Sequence, residues 1–357
     1  MKNFYCVILA GGIGSRLWPT SQISKPKQFL DMLGTGETLV QTTYKRIASF
    51  IPHEHIFMMT NASYEDFVRE QIPDMLTENI LLEPMRRNTI PSATWAALHI
   101  MAKDPDACIV FTPADQCIDN VETFRDDILC GLNYVREERR LLALGVLPTR
   151  AETNFGYIQM MDKVRDGIFK VKSFSEKPDI VFAQMFVESG EFLWNTGIFI
   201  VHASTFIDTI DTTSANFQEL VENVKLIAMK GKPFDRIIEK TYSSCPNTTF
   251  EQSLLEKANN IDVMQCHFGW KDIGSWGEFY EINNHDDNGN VVLSDDAMLY
   301  DCNGCLIKQP KGKMIVAQGL KDYIIIADNN VLMICKKDDP QTIRRFVNDY
   351  NFLKEKQ

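Results

Sequence analysis

The sequence predicts an α/β fold: a Rossmann-like, mostly parallel sheet flanked by helices, then a small C-terminal β-helix-like domain with a terminal helix. Two observations carry this. Through residues 1–280, short apolar runs alternate with longer amphipathic segments. Runs of that length, bounded by turn residues and rich in Val, Ile and Phe, read as buried strands of a parallel sheet. Beyond residue 283 the alternation gives way to brief apolar runs separated by turns, which is the pattern of a small all-β unit.

Strands are expected at 5–10, 55–60, 108–112, 141–145, 156–161, 168–174 and 197–202, and helices at 39–49, 64–71, 90–103, 123–139 and 179–188. Strand–helix alternation implies layered βαβ units with right-handed crossovers. The polar, turn-rich stretch 283–290 is a linker candidate. It sets a first domain at 1–285 and a second at 286–357. In the second, strands are expected at 291–293, 297–300, 305–307, 314–317, 323–327 and 331–335, as a few coils of a β-helix, with a closing helix at 341–354.

Composition is ordinary for a globular chain, with 45% hydrophobic and 24% charged residues. A net charge of −11 argues against nucleic acid or an anionic membrane as the main partner, but a locally basic cleft can still take anionic small molecules. Nine scattered cysteines suggest reduced thiols in a cytoplasmic protein. Cys302 and Cys305 form a lone C-x-x-C without a second ligand pair, so a turn at Asn303-Gly304 is expected rather than zinc. His53 and His55 follow Pro52 and are expected in a surface loop. The apolar run at 5–10 leads straight into a patterned loop, so it reads as a buried first strand and not as an export signal. No apolar stretch reaches the about 18 residues needed to span a bilayer.

The loop Gly11-Gly12-Ile13-Gly14-Ser15-Arg16-Leu17 follows that first strand. A glycine-rich turn there lets backbone N–H groups approach phosphates closely. Two templates fail: Leu17 stands where a dinucleotide fingerprint wants its third glycine, and Ser15-Arg16 stands where a Walker A loop wants Lys-Ser/Thr. The loop instead carries Arg16, and Lys25-Pro26-Lys27-Gln28-Phe29 adds two more cations. Together these segments resemble the signature of the sugar-1-phosphate nucleotidyltransferases. The resemblance implies that Gly11, Gly12 and Gly14 bind nucleotide. It also implies that Arg16 and Lys27 hold the triphosphate and stabilise the departing pyrophosphate.

The resemblance extends over nearly the whole chain. Asp115, in Thr112-Pro113-Ala114-Asp115-Gln116, and Asp272, in Trp270-Lys271-Asp272-Ile273-Gly274-Ser275-Trp276, sit in settings like the family's metal pair, with Gln116 replacing the usual His. Taken singly, each aspartate fits a turn or a helix cap. Together they suit Mg2+, which prefers one or two carboxylates plus waters and phosphate oxygens. Glu176-Lys177-Pro178, Asn195 in Trp194-Asn195-Thr196-Gly197, and Gly156 in Asn154-Phe155-Gly156-Tyr157 resemble the family's sugar-phosphate segments. Glu83-Pro84-Met85-Arg86-Arg87-Asn88-Thr89 is similar to the pattern of the mannose-1-phosphate guanylyltransferase branch and implies nucleoside contacts from Arg87, Asn88 and Thr89. The segment 249–257 matches less well. Only Glu256-Lys257 fits, which leaves the role of Glu251 open.

The implied reaction joins mannose 1-phosphate to GTP, giving GDP-mannose and pyrophosphate, with Mg2+ as cofactor. A homodimer is compatible with this reading. Longer relatives carry a phosphomannose isomerase domain after the β tail. This chain ends at Gln357, so no isomerase activity is expected. Three alternatives stand beside it: a relative using another base or sugar, a catalytically inactive sugar-nucleotide sensor, and a dinucleotide-dependent oxidoreductase. Loss of Arg16, Lys27 or either aspartate would favour the sensor, and all four are present. Leu17 disfavours the oxidoreductase.

Overall fold

The computed structural model describes residues 3–213, 221–222, 242–294, 296–310, 312–328, 331–337 and 340–354. The chain falls into two compact units. The first comprises Met1–Gly11, Gln41–Ala114 and Ile118–Trp270, and the second Gly12–Val40, Asp115–Cys117 and Lys271–Gln357. The boundary expected at 285/286 lies inside the second unit, which gathers three separate stretches of chain.

The first unit is built on β1 (Phe4–Leu9), β2 (Ile56–Asn61), β3 (Ile80–Glu83) and β4 (Cys108–Pro113), and, after a short β5 (Gln116–Ile118), β6 (Leu141–Val146), β7 (Gly156–Arg165), β8 (Ile168–Glu176), β9 (Phe192–His202) and β10 (Ile261–Cys266). Among the described residues they form a nine-stranded sheet, without β5, in the order β3-β2-β1-β4-β9-β6-β10-β8-β7. The expected parallel pairing holds for β3-β2-β1-β4 and for β6 with β10. The other part is mixed: β9 enters antiparallel between β4 and β6, and β7 and β8 form an antiparallel pair.

Helices α1 (Leu39–Ala48), α2 (Glu65–Gln71), α3 (Thr89–Met101), α4 (Val121–Glu138), α5 (Ile180–Ser189) and α6 (Ala203–Thr213) accompany these strands. Local chemistry sets their ends. Asn120 caps α4 by accepting from Thr123 N at 3.0 Å. Asp179 caps α5 by accepting from Val181 N and Phe182 N, and Gly190 at φ 67° stops it. Such caps are each worth about 1 kcal/mol. Cys6, Val7 and Ile8 of β1 and Val110 and Phe111 of β4 are fully buried, as expected of strands covered on both faces. Phe199 stacks on Phe250 with ring centroids 4.5 Å apart. Each such buried large apolar side chain contributes about 1.5–3 kcal/mol.

The second unit holds the short β11 (Trp270–Asp272) in part, α7 (Trp276–Ile282), β12 (Val291–Leu293), β13 (Ala297–Tyr300), β14 (Leu306–Lys308), β15 (Ile315–Gln318), β16 (Tyr323–Asp328), β17 (Val331–Lys336) and α8 (Pro340–Lys354). Strands β12, β14 and β16 stack in parallel, and β13 pairs with β15 in parallel. Successive strands thus alternate between two sheets, which is the winding of a β-helix. The last strand, β17, folds back antiparallel on β16. The unit's core gathers Leu17, Trp18, Trp276, Phe279, Ile324 and Ile326, and Trp276 Nε1 donates to Trp18 O at 2.9 Å.

The stretch read as a linker is an ordered turn: the Asp286 carboxylate accepts from Asn288 N and Asn290 N, and Asn290 is buried. All nine cysteines are free thiols, with Gly304 in the left-handed conformation at the Cys302–Cys305 turn. His53 is bonded to Tyr44 Oη and His55 to Phe4 O, so both are structural. No helix among the described residues is long and apolar enough to cross a membrane.

Candidate active site

The glycine loop leaves β1 under tight local control. Gly14 has φ 60°, and a β-carbon there would lie 2.6 Å from Ser21 Oγ and 2.8 Å from Lys27 Cγ. Ser21 Oγ donates to Ile13 O and accepts from Lys27 N, both at 2.9 Å, and Gln28 Nε2 donates to Gly12 O at 2.8 Å. Glycine at 14 is therefore demanded by conformation and by space. A β-carbon on Gly12 would meet no heavy atom within 4 Å.

The loop delivers Arg16, and the turn Lys27–Phe29 delivers Lys27, to one charged cluster of the second unit. Lys27 is 7% exposed, and its ammonium sits 2.7 Å from Asp115 Oδ2 and donates to Ile273 O at 2.6 Å. Burial alone would lower the Lys27 pKa, but Asp115 and Asp272 outweigh it and hold the ammonium above its ordinary value. Asp272 lies in the same cluster. Burial, with Glu278 and Asp115 nearby, pushes its carboxyl up to about 7, against the pull of Lys27 and Arg16. A β-carbon on Gly274 would lie 2.7 Å from Glu278 Oε2 and 3.1 Å from Arg16 Nη2, and closer still to Asp272 Oδ2. The cluster thus brings together four residues expected from sequence and adds Glu278.

The donor set is hard oxygen in an anionic setting, which fits Mg2+ and not a softer metal. Among the described residues no three His, Cys, Asp or Glu side chains already converge into a metal cage.

In the first unit, Gly11 faces a different carboxylate. A β-carbon on Gly11 would lie 2.7 Å from Glu83 Oε2. Glu83 is 5% exposed, and its other oxygen, Oε1, accepts from the Ser92 and Tyr242 hydroxyls. Burial pushes the Glu83 carboxyl up, while those two hydroxyls and Arg86 pull it back. The three residues expected to touch the nucleoside each make one contact within the protein. Arg87 Nη2 donates to Ser243 O at 2.7 Å, Asn88 Nδ2 to Asn247 Oδ1 at 2.8 Å, and Thr89 Oγ1 accepts from Phe250 N at 3.1 Å. They fasten the segment 243–250 to the start of α3, and Asn88 does so at φ 60°.

The same unit assembles the expected sugar residues. Gly156 opposes Glu176 in the β7–β8 ladder, and a β-carbon at 156 would lie 2.7 Å from the Phe174 ring and 2.9 Å from Glu176 Oε2. Lys177, at φ 47°, bonds to Glu176 Oε1. Asn195 is fixed from both ends: Nδ2 donates to Glu251 Oε1 at 2.8 Å, and Oδ1 accepts from Gly197 N at 3.1 Å. Glu251, left without a role by the sequence, sits on a π-helical turn, Glu251–Leu255. Its carboxyl is pushed up chiefly by burial, with Glu176 adding to the effect.

This chain belongs to the nucleotidyl transferase family, whose model matches residues 5–289. Its relatives point to one branch. It is 32% identical to the mannose-1-phosphate guanylyltransferase of Escherichia coli, over 98% of this chain and 74% of that protein. It is 32% identical to the alginate biosynthesis protein AlgA of Pseudomonas aeruginosa, over 96% of this chain and 71% of that protein. Among solved structures, one named mannose-1-phosphate geranyltransferase, from Thermus thermophilus, is similar with a TM-score of 0.86 at 26% identity, covering 98% of this chain and 99% of that one.

Proposed function

We propose that this chain transfers GMP from GTP to mannose 1-phosphate, giving GDP-mannose and pyrophosphate. The observation that carries the reading is the half-buried cluster of Arg16, Lys27, Asp115 and Asp272 beside the glycine loop, with Lys27 at its buried end. A phosphate oxygen of the sugar phosphate attacks the α-phosphorus of GTP in line, and the bond to the pyrophosphate oxygen breaks. The nucleophile is already anionic, since a phosphate monoester has its second pKa near ~6. No general base is needed, and catalysis reduces to positioning and charge neutralisation.

Lys27 and Arg16 offset the charge that grows on pyrophosphate. Lys27 stays cationic in its buried place because Asp115 and Asp272 hold its proton. Gly11, Gly12 and Gly14 admit the triphosphate to the backbone N–H groups of the loop. Glu83 Oε2 reads the base: guanine presents two donors, N1–H and N2–H, to such an acceptor, and adenine lacks that pair. Lys177 takes the sugar phosphate, while Glu176 and Asn195 accept or donate to sugar hydroxyls against Gly156. Asp115 and Asp272 are the residues that would hold Mg2+, whose chemistry is to neutralise phosphate charge. The span of the family match supports reading 1–285 as the catalytic domain and 286–357 as an appended β-helix-like domain. Nine free thiols support a cytoplasmic setting.

Asp115→Asn and Asp272→Asn test this directly. Asn keeps the shape of Asp but removes the anionic oxygen that magnesium favours. Each variant is expected to lose most turnover, about 100-fold or more, while still binding GTP in part without metal. Near wild-type turnover in both at saturating Mg2+ would return the two aspartates to structural roles, since Asn serves equally in turns and caps.

A further inference from the structure

Glu278 is the third residue of α7, three places after the N-cap Ser275. Ser-x-x-Glu at a helix start normally closes a reciprocal cap, with the glutamate returning to the cap residue's N–H. Only half of that exchange is made here. Ser275 Oγ accepts from Glu278 N at 3.3 Å, but both Glu278 carboxylate oxygens are buried and make no hydrogen bond. The residue is 4% exposed. An unpartnered buried carboxylate costs several kcal/mol unless a cation meets it.

The direction of the side chain says where that cation belongs. Glu278 Oε2 and Asp272 Oδ2 flank the same point, each within 3 Å of the place where a Gly274 β-carbon would stand, and Arg16 Nη2 lies 3.1 Å from it. Asp115 is engaged differently, by Lys27 at 2.7 Å. Three carboxylates therefore share this cluster with Lys27 and Arg16. Any side chain at 274 would strike both oxygens, so Gly274 keeps the space between them clear.

We propose that Glu278 belongs to the shell of the divalent cation beside Asp272, binding it directly or through one of its waters. The proposal rests on the metal role given above to Asp115 and Asp272 and adds to it: Glu278 is a further carboxylate of the same ion's surroundings, on the Asp272 side.

The test is Mn2+ affinity, followed by the electron paramagnetic resonance of free Mn2+, with the full chain alone and with a saturating non-hydrolysable GTP analogue. Wild type is compared with Glu278→Gln and Asp272→Asn. Glu278→Gln is expected to weaken Mn2+ binding about 10- to 100-fold. It should also raise the melting temperature of the metal-free protein, because a buried charge is removed, and shrink the upward shift that Mn2+ produces. A purely capping role predicts the reverse, a lower metal-free melting temperature with Mn2+ affinity intact, and that result would overturn the proposal. If Asp272→Asn loses Mn2+ while Glu278→Gln binds it as wild type does, Glu278 has no part in the site and the Asp272 reading survives. If neither variant changes affinity, or wild type binds no Mn2+ in either arm, both fall together.

Discussion

At Glu83, the Ser92 and Tyr242 hydroxyls occupy one carboxylate oxygen and leave the other turned toward Gly11. Replacing it with Gln keeps shape and volume but sets a neutral amide against the base edge. One charge-assisted hydrogen bond is worth about 1.5–3 kcal/mol. Glu83→Gln is therefore expected to cut kcat/KM for GTP by about 10- to 100-fold and to leave that for ATP unchanged. Steady-state kinetics with the two triphosphates check this, and an unaltered GTP-to-ATP ratio contradicts it. The sequence displays Glu83 at the head of the motif that ends in Arg87, Asn88 and Thr89, and these three are also bonded to the segment 243–250. Those partners are about 160 residues away in the chain, and no local pattern announces them. Glu278 was hidden in another way: Ser-x-x-Glu before an apolar run reads as a helix start, and only the missing return bond reveals a different task. Arg16, Lys27, Asp115 and Asp272 were legible because their motifs are dense and their separation in sequence is bridged by the resemblance.

Helix α3 shows how burial shapes an element. Its residues Ile90 to Leu98 are all buried, so the helix had to be read from its length and not from a polar face. Near its end His99 packs edge-on against Phe57, with ring centroids 5.8 Å apart. Burial, with Lys103 adding, drops the His99 pKa to about 4. A base whose folded pKa lies below its unfolded value near ~6.5 stabilises the fold fully above that value. The contribution is then lost as pH falls from about 6.5 toward 4. By pH ~5 the loss is on the order of 2 kcal/mol. Urea unfolding of wild type and His99→Gln at pH ~7 and pH ~5 should show wild type losing the more stability by that amount; equal losses would contradict it. Other elements escaped sequence reading for physical reasons. Strand β10 carries the fully buried Asp262, satisfied by Tyr134 and Arg140, and a charge in the middle of a run breaks the apolar signal. Strand β9 begins at Phe192, five residues before the expected start at 197. Its polar Asn195 and Thr196 and the left-handed Gly197 interrupt the pattern, and its register with β6 shifts between Ala143 and Gly145. The tail strands, by contrast, fell within one residue of expectation at their starts, since each coil is bounded by its own turn.

At the scale of the molecule, an acidic chain of net charge −11 handles substrates that are themselves polyanions. In the proposed mechanism it does so by concentrating cations where they are needed: Arg16 on the loop, Lys27 held charged in a buried site, and Lys177 for the sugar phosphate. Family membership fixes nucleotidyl transfer as the chemistry, and the choice of base and sugar is the part that the site residues must decide. A site built to hydrogen-bond one base edge leaves buried polar groups unpaired when the wrong base enters, which can discriminate by orders of magnitude. The most direct measurement is pyrophosphate release by the purified chain with Mg2+, as kcat/KM across GTP, ATP, UTP and dTTP, each paired with mannose 1-phosphate and with glucose 1-phosphate. The account predicts that GTP with mannose 1-phosphate exceeds every other pair by at least about 100-fold in base choice and yields GDP-mannose. Equal or faster turnover with UTP or dTTP, or no pyrophosphate from any pair, would contradict it.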